Sequence, residues 1–331
     1  MALFRQLDEQ IASLHALLAK DQRWLIVINA DPDALGAAMA LKRIMGRKVL
    51  DVGIGQVNEC KRPDNLAMIR YLRIPTRKII PNLLAQYDRF ALIDSQPHHH
   101  PGFAGIDFSV VIDHHPLLKE HPVKAPFTDI RPKYGATCTM MTEYLYNLDI
   151  RPGKLLATAL TYAIKTDTAD WEREFIDADI TAFKYLLKFA DRVLLNRIAK
   201  SEFHLDWMRY FSRAFYNLRR AGTGIFSHMG KVDNPDILVI LADFFTRVHG
   251  VPWNVVSGET GDKLVIILRG DGVRRDMGKY AASLFGDLGT AGGHRNAARA
   301  EIPLENLKGE DPELFLFRKL GHGNGRPPQR I

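Results

Sequence analysis

The stretch Phe108-Ser109-Val110-Val111-Ile112-Asp113-His114-His115 sets a mostly apolar run directly before an acid and two imidazoles. Apolar runs of this length, closed by polar residues, suit a buried strand of a parallel sheet. Open α/β sheets keep their chemistry just beyond the carboxyl ends of such strands. Side chains alternate along an extended chain, so Asp113 and His115 are set to face one side while His114 orients or covers them.

Other stretches repeat the grammar of apolar run, then acid. Trp24-Leu25-Ile26-Val27-Ile28 leads into Asn29-Ala30-Asp31-Pro32-Asp33, and Ala34 to Leu41 reads as a helix. Phe90-Ala91-Leu92-Ile93 ends at Asp94, and Leu160-Thr161-Tyr162-Ala163-Ile164 runs on to Asp167. Carboxylates converging on one sheet edge repel one another unless they hold cations. Oxygen-rich sites with some imidazole suit Mn²⁺ or Mg²⁺ better than zinc, which prefers fewer and softer ligands. A carboxylate shared between two such ions is the usual device for in-line phosphoryl chemistry.

Strands at 24–29, 48–53, 89–94 and 108–113 alternate with helices from 36 and after Pro63, which predicts a parallel sheet wound on both faces. Leu3, Leu7, Ile11, Leu14, Leu17 and Leu18 fall at helical spacing and predict a helix ahead of the first strand. Gly135-Ala136-Thr137 begins another helix, where Thr137 and the first amides either receive a phosphate or form a simple cap. From about 175 to 222 the pattern is helical. Lys184 to Arg220 holds nine Lys or Arg against three acids, interleaved with Phe203, Trp207, Tyr210, Phe211 and Phe215. Aromatics packed inward beneath a solvated basic face are the expectation, with a nucleic-acid track as the alternative. Gly222-Thr223-Gly224 reads as a hinge or turn. Beyond it come a strand at Ile237–Leu241, a helix near 243–249, a hairpin from Trp253 to Arg269, and a helix from Met277 to Phe285. The fold class expected is α/β: a parallel doubly wound sheet domain over 1–185, a helical linker over 186–222, a smaller α/β domain over 223–320, and a flexible tail over 321–331.

At 331 residues, 46% hydrophobic and 25% charged, the chain has the composition of an ordinary two-domain globular protein. Its formal charge of +7 suits an anionic ligand without establishing one. Cys60 and Cys138 lie outside any metal-binding cysteine spacing, and a reduced, cytoplasmic protein is expected. No signal peptide and no apolar run of bilayer length is expected.

The order Asp31-Pro32-Asp33-Ala34-Leu35-Gly36, strand-end Asp94, Asp113-His114-His115, then Thr166-Asp167-Thr168 resembles the DHH phosphoesterase superfamily. Gly292-Gly293-His294-Arg295-Asn296-Ala297-Ala298 is similar to the glycine-glycine-histidine motif of the DHH-associated substrate domain. Within the superfamily the chain most resembles the bacterial nanoRNase and pAp-phosphatase group. The resemblance implies that Asp31 binds a first ion and Asp33 a second, that Asp94 bridges them, and that His114 and Asp167 complete the second site. It implies His115 as a catalytic group supporting the site or the phosphate. In the associated domain it implies that Gly292, Gly293 and His294 meet a terminal nucleotide across an interdomain cleft, while Arg269 holds a phosphate. Two departures stand out. The nanoRNase pattern has a His where this chain has Val27, which leaves the first ion short of a nitrogen, and Arg299 replaces a glycine after Ala297-Ala298. His98-His99-His100 either supplies a substitute imidazole or is a solvated loop.

The expected activity is hydrolysis of a phosphate ester by water activated on two divalent ions, Mn²⁺ first and Mg²⁺ second, with Asp94 and His115 as catalytic residues. Short RNA or DNA oligonucleotides, pAp or linear dinucleotides are the expected partners, with no membrane and with a homodimer allowed. The alternatives are a RecJ-like single-strand exonuclease, a cyclic-dinucleotide phosphodiesterase, and a metal-depleted nucleotide-binding sensor.

Overall fold

The runs that precede Asp31, Asp94 and His114 are neighbouring strands of one parallel sheet. The computed structural model describes residues 3–201, 203–320 and 329–330, and these divide into two compact units between Phe203 and His204. The first unit opens with α1 (Asp8–Ala16), β1 (Arg23–Ile28), α2 (Pro32–Met45), β2 (Asp51–Gln56), α3 (Pro63–Leu72), β3 (Thr76–Lys78), the short α4 (Pro81–Leu84) and β4 (Arg89–Ile93). It continues with β5 (Phe108–Asp113), β6 (Phe127–Ile130), α5 (Thr137–Asn147), α6 (Lys154–Asp167), α7 (Asp177–Leu186) and α8 (Arg192–Ala199). The strand order is β3-β2-β1-β4-β5-β6, and every pairing is parallel.

Alternation along the strands divides their side chains between two cores. Trp24, Ile26, Ile28, Ala91, Ile93, Val110 and Ile112 pack under the helices on one face. Leu25, Val27, Leu92 and Val111 point the other way, onto Leu83, Tyr87, Phe103 and Phe108. Both faces being buried explains why the strands read as unbroken apolar runs. The chain leaves β1 in one direction through β2 and β3, then returns to lay β4 on its other side. That reversal leaves a crevice outside the carboxyl ends of β1 and β4, the usual ligand position in such sheets.

The second unit contains α9 (Met208–Tyr216), β7 (Arg219–Ala221), β8 (Gly224–Lys231), α10 (Asp236–Phe245), β9 (Trp253–Thr260), β10 (Lys263–Gly270), α11 (Met277–Phe285), β11 (Thr290–Gly293), β12 (Ala297–Pro303), α12 (Pro312–Leu320) and β13 (Gln329–Arg330). Its sheet runs β11-β12-β10-β9-β8-β7-β13 and is antiparallel except where β8 meets β9.

Several expectations are corrected. Leu160–Ile164 belongs to helix α6, so Asp167 is the last residue of a helix and not the end of a strand. Ile237–Leu241 is likewise helical, in α10. Short apolar runs carry no period that separates a buried strand from a buried helix. Helix α2 starts at Pro32, ahead of the Ala34 and 36 read from the sequence, because Asp31 caps it and proline suits a first helical turn. The stretch expected as a linker divides: Ile198 of α8 joins the helix-covered core of the first unit, while Trp207, Tyr210, Phe211 and Ala214 help build a core of the second unit. Of the hinge or turn read at Gly222-Thr223-Gly224, the structure has the turn, which joins β7 to β8. Of the tail expected to be flexible, residues 321–328 and 331 lie outside the described residues, and Gln329–Arg330 pair with β7. Among the described residues, no helix is long and apolar enough to cross a membrane.

Candidate metal centre

Asp31 ends the β1 exit loop and caps α2, accepting the Ala34 amide at Oδ1 over 2.9 Å. The Asn58 side chain clamps that loop through both polar groups of Ala30, at 2.6 and 2.9 Å. Two residues on, Asp33 is 2% exposed and lies against the start of α5. Its Oδ2 accepts the Thr137 amide at 2.6 Å and its Oδ1 the Cys138 amide at 2.9 Å. The α5 amides considered for a phosphate are therefore occupied by Asp33, a carboxylate placed where a helix start favours negative charge. Gly36 lets the two helices approach this closely, since a Cβ there would lie 2.7 Å from Cys138 Sγ.

Asp94 leaves β4 with φ +59°, a left-handed conformation that few residues other than glycine adopt. Its amide bonds the Ile112 carbonyl at 2.9 Å, and its Oδ1 accepts the Thr137 hydroxyl at 2.8 Å. Thr137 thus ties two acids at once, through its amide and its hydroxyl.

His114 stands among these acids. Its Nδ1 is 2.9 Å from the Tyr134 carbonyl, which fixes the proton on Nδ1 and leaves Nε2 as the nitrogen for a cation. That Nε2 is 3.1 Å from Asp167 Oδ2 and 3.7 Å from Asp94 Oδ1. Donor atoms of Asp33, His114 and Asp167 all lie within 4.8 Å of one another, as do those of Asp94, His114 and His115. Asp113, fully buried, takes the other side of the strand: its Oδ1 holds His115 Nδ1 at 2.8 Å and its Oδ2 accepts from Gln96 at 2.9 Å.

The electrostatics match that geometry. Burial raises the carboxyls of Asp33 and Asp94 above the usual range, and their acidic neighbours push them further. Asp31, whose rim remains open to solvent, is raised to about 6 chiefly by the protein around it. Burial alone would lower the His114 pKa, but Asp167 and Asp33 outweigh it and bring the ring to about 9. Asp113 behaves differently: burial would raise it, yet His115 and Gln96 bring it below the ordinary value. In a metal-free pocket the His114 imidazolium is thus the nearest counter-charge to several acids. Buried Asp167 Oδ2 faces only His114 Nε2, at 3.1 Å. A clustered oxygen set with one imidazole nitrogen turned into it fits a hard divalent cation.

Val27 is fully buried in the opposite core and faces away from the helical face of the sheet. None of the close donor clusters among the described residues includes Asp31. Of His98 to His100, read as either a substitute imidazole or a solvated loop, His99 reaches the Asp113–His115 pair. Its Nδ1 accepts the Gln96 amide at 3.1 Å, which leaves the proton on Nε2 and arranges the ring as a donor. His98 stacks on His121, and His100 accepts the Gly102 amide. Asn58, the Tyr134 carbonyl and Gln96 carried no motif, since each acts from a loop fixed only by the folded sheet.

In the second unit, Gly292 and Gly293 lie in edge strand β11, opposite Arg299 and Ala298. His294 is exposed, and its carbonyl receives the Gly278 amide at the start of α11. Arg269 pairs through Nε with Asp243 Oδ1 at 2.6 Å. Arg299 pairs with Glu301 at 2.8 Å, so the departure from glycine brings its own counter-ion.

Residues 23–164 match the DHH family, N-terminal domain. An uncharacterized protein of Methanocaldococcus jannaschii is 34% identical over 294 residues, covering 88% of this chain; the chain spans 60% of that protein's length. An exopolyphosphatase-related protein from Bacteroides fragilis shares the fold at 14% identity and TM-score 0.67, over 95% of this chain and 96% of that one. RecJ from Thermus thermophilus, in complex with Mn²⁺, is more distant at 16% identity and TM-score 0.47, over 99% of this chain and 56% of that one.

Proposed function

From the DHH-family domain that this chain carries at residues 23–164, we propose that the protein is a metal-dependent phosphoesterase acting on short oligonucleotides, pAp or linear dinucleotides. The observation that carries the reading is His114. Its Nδ1 is committed to a backbone carbonyl, and its Nε2 is aimed between Asp94 and Asp167 in a pocket with unbalanced negative charge.

Asp33, Asp94, His114 and Asp167 would hold one ion, and Asp31 with Asp94 a second, Asp94 being shared. Bound divalent cations would supply Lewis acidity, giving a nucleophilic water near neutral pH and neutralising charge on the phosphoryl group. The chain's own contribution is preorganisation. Thr137 fixes Asp33 and Asp94 together, Tyr134 fixes the His114 tautomer, and Asp113 holds His115 so that its outer nitrogen can donate to a phosphoryl oxygen. Gly292, Gly293, His294 and Arg269 are the residues proposed to contact nucleotide and phosphate groups, with the Arg269 fork exchanging Asp243 for a phosphate.

Incubating Mn²⁺-loaded protein with dinucleotides, pAp, cyclic dinucleotides and longer single strands tests this. Preferential turnover of the short linear substrates is expected, and no hydrolysis of any rejects the reading. A second reading, a nucleotide-binding sensor, draws on buried Val27, which leaves Asp31 without the imidazole the resemblance implies. Nucleotide affinity without bound metal would favour it.

A further inference from the structure

The metal ligands rest on the first turn of α5, and that turn has an anchor of its own. Asp179, in the first turn of α7, is fully buried. Its Oδ2 accepts the Gly135 amide at 2.9 Å and the Ile176 amide at 2.8 Å, while its Oδ1 accepts the Thr139 hydroxyl at 2.5 Å. Gly135 and Thr139 bracket Thr137 and Cys138, whose amides seat both oxygens of Asp33 and whose Thr137 hydroxyl seats Asp94. The Ile176 amide closes the loop that follows Asp167. One carboxyl group therefore ties the supports of Asp33 and Asp94, two proposed metal ligands from separate parts of the sequence.

The fit around it is tight. A Cβ on Gly135 would lie 2.8 Å from Thr168 Cγ2 and 3.1 Å from Asp179 Oδ2. Between Thr168 and Asp179 only a glycine passes without moving its neighbours, so the α5 start has little freedom to drift.

We infer that Asp179 is a positioning residue for the metal centre, setting the α5 N-terminal turn and through it the spacing of Asp33 and Asp94. Asp179 touches no proposed ligand directly; it acts through Gly135 and Thr139. The inference rests on the metal-centre reading above, and its test keeps the two apart.

The test is a Mn²⁺ titration of the full chain followed by electron paramagnetic resonance, well below each variant's melting temperature. Asp179→Ala should raise the Mn²⁺ Kd about 10- to 100-fold, the usual cost of losing support behind a ligand, and alter the signal from neighbouring ions. Asp179→Asn, which keeps an acceptor for the two amides, should restore most of the affinity. Thr139→Val should raise Kd several-fold and Thr139→Ser should reverse that, so the pair carries the test if Asp179→Ala does not fold. A purely structural role predicts lowered melting temperatures with the wild-type Kd and spectrum retained, and that outcome overturns the inference alone. Wild-type protein that binds no Mn²⁺ overturns both the inference and the metal-centre reading.

Discussion

Two regions of this molecule settle their charges in opposite ways. At the carboxyl edge of the parallel sheet, Asp33, Asp94 and Asp167 crowd one imidazole, and burial with mutual repulsion raises the first two carboxyls. In the second unit, Arg269 has Asp243, Arg299 has Glu301, and Arg295 lies on the carbonyls of Gly272 and Val273. The first arrangement is short of positive charge; the second is satisfied by its own side chains. Unbalanced buried charge marks a site more sharply than abundant charge does.

The largest expected effect follows from removing one acid of the unbalanced set. Under the proposed function, Asp94→Asn should reduce metal-dependent hydrolysis on the order of 10³-fold, since it removes the ligand proposed to be shared. The same variant should melt higher than wild type without metal, because one repelling group is gone. A fall in metal-free melting temperature would contradict the contrast.

Arg131 offers a buried but balanced counter-example within the first unit. It bonds Asp129 and Glu143 and lies over the Tyr134 ring. Arg131→Met should cost about 3–5 kcal/mol in denaturant unfolding, because two buried acids lose their partner. A loss under about 1 kcal/mol would mean that this network is not the settled region it resembles.

A pH series sharpens the comparison further. Asp31 titrates at about 6 in the folded chain against 3.8 ordinarily, so its favourable contribution is complete below 3.8 and is lost as pH rises through 6. His114, raised to about 9 from 6.5, contributes fully below 6.5 and loses its contribution as pH rises through 9. Metal-free protein should therefore melt lower by a few degrees across each window, and saturating Mn²⁺ should flatten the first. A metal-free melting temperature that rises between pH 4 and 6 would reverse the assignment.

The smallest effect belongs to the satisfied region. Arg269 with Asp243 is a partly exposed pair, so Arg269→Ala should change stability by less than about 1 kcal/mol. Under the proposed function it should raise KM while sparing kcat, which steady-state kinetics would show.

The sequence made the acids legible and left their scaffolding hidden. Asp31, Asp94 and Asp113-His114-His115 follow apolar runs whose strand character comes from burial on both faces, and the structure brings Asp94 and His114 together. Asp167 joins them from a helix end, which an apolar run cannot distinguish from a strand end. Short edge strands such as β3 and β11 have too few apolar residues to announce themselves. Asn58, Tyr134 and Asp179 act through hydrogen bonds to residues distant in the sequence, and no local pattern encodes those. The α5 start was legible as a helix beginning at Thr137, but the carboxylate that occupies it lies 104 residues earlier.

Diffraction from a manganese-soaked crystal, collected at the manganese absorption edge, tests the central claim most directly. The account predicts an anomalous peak within bonding distance of His114 Nε2, Asp33 and Asp167, with Asp94 beside it. A featureless pocket at saturating Mn²⁺, with His114 still seated against Asp167, would contradict it.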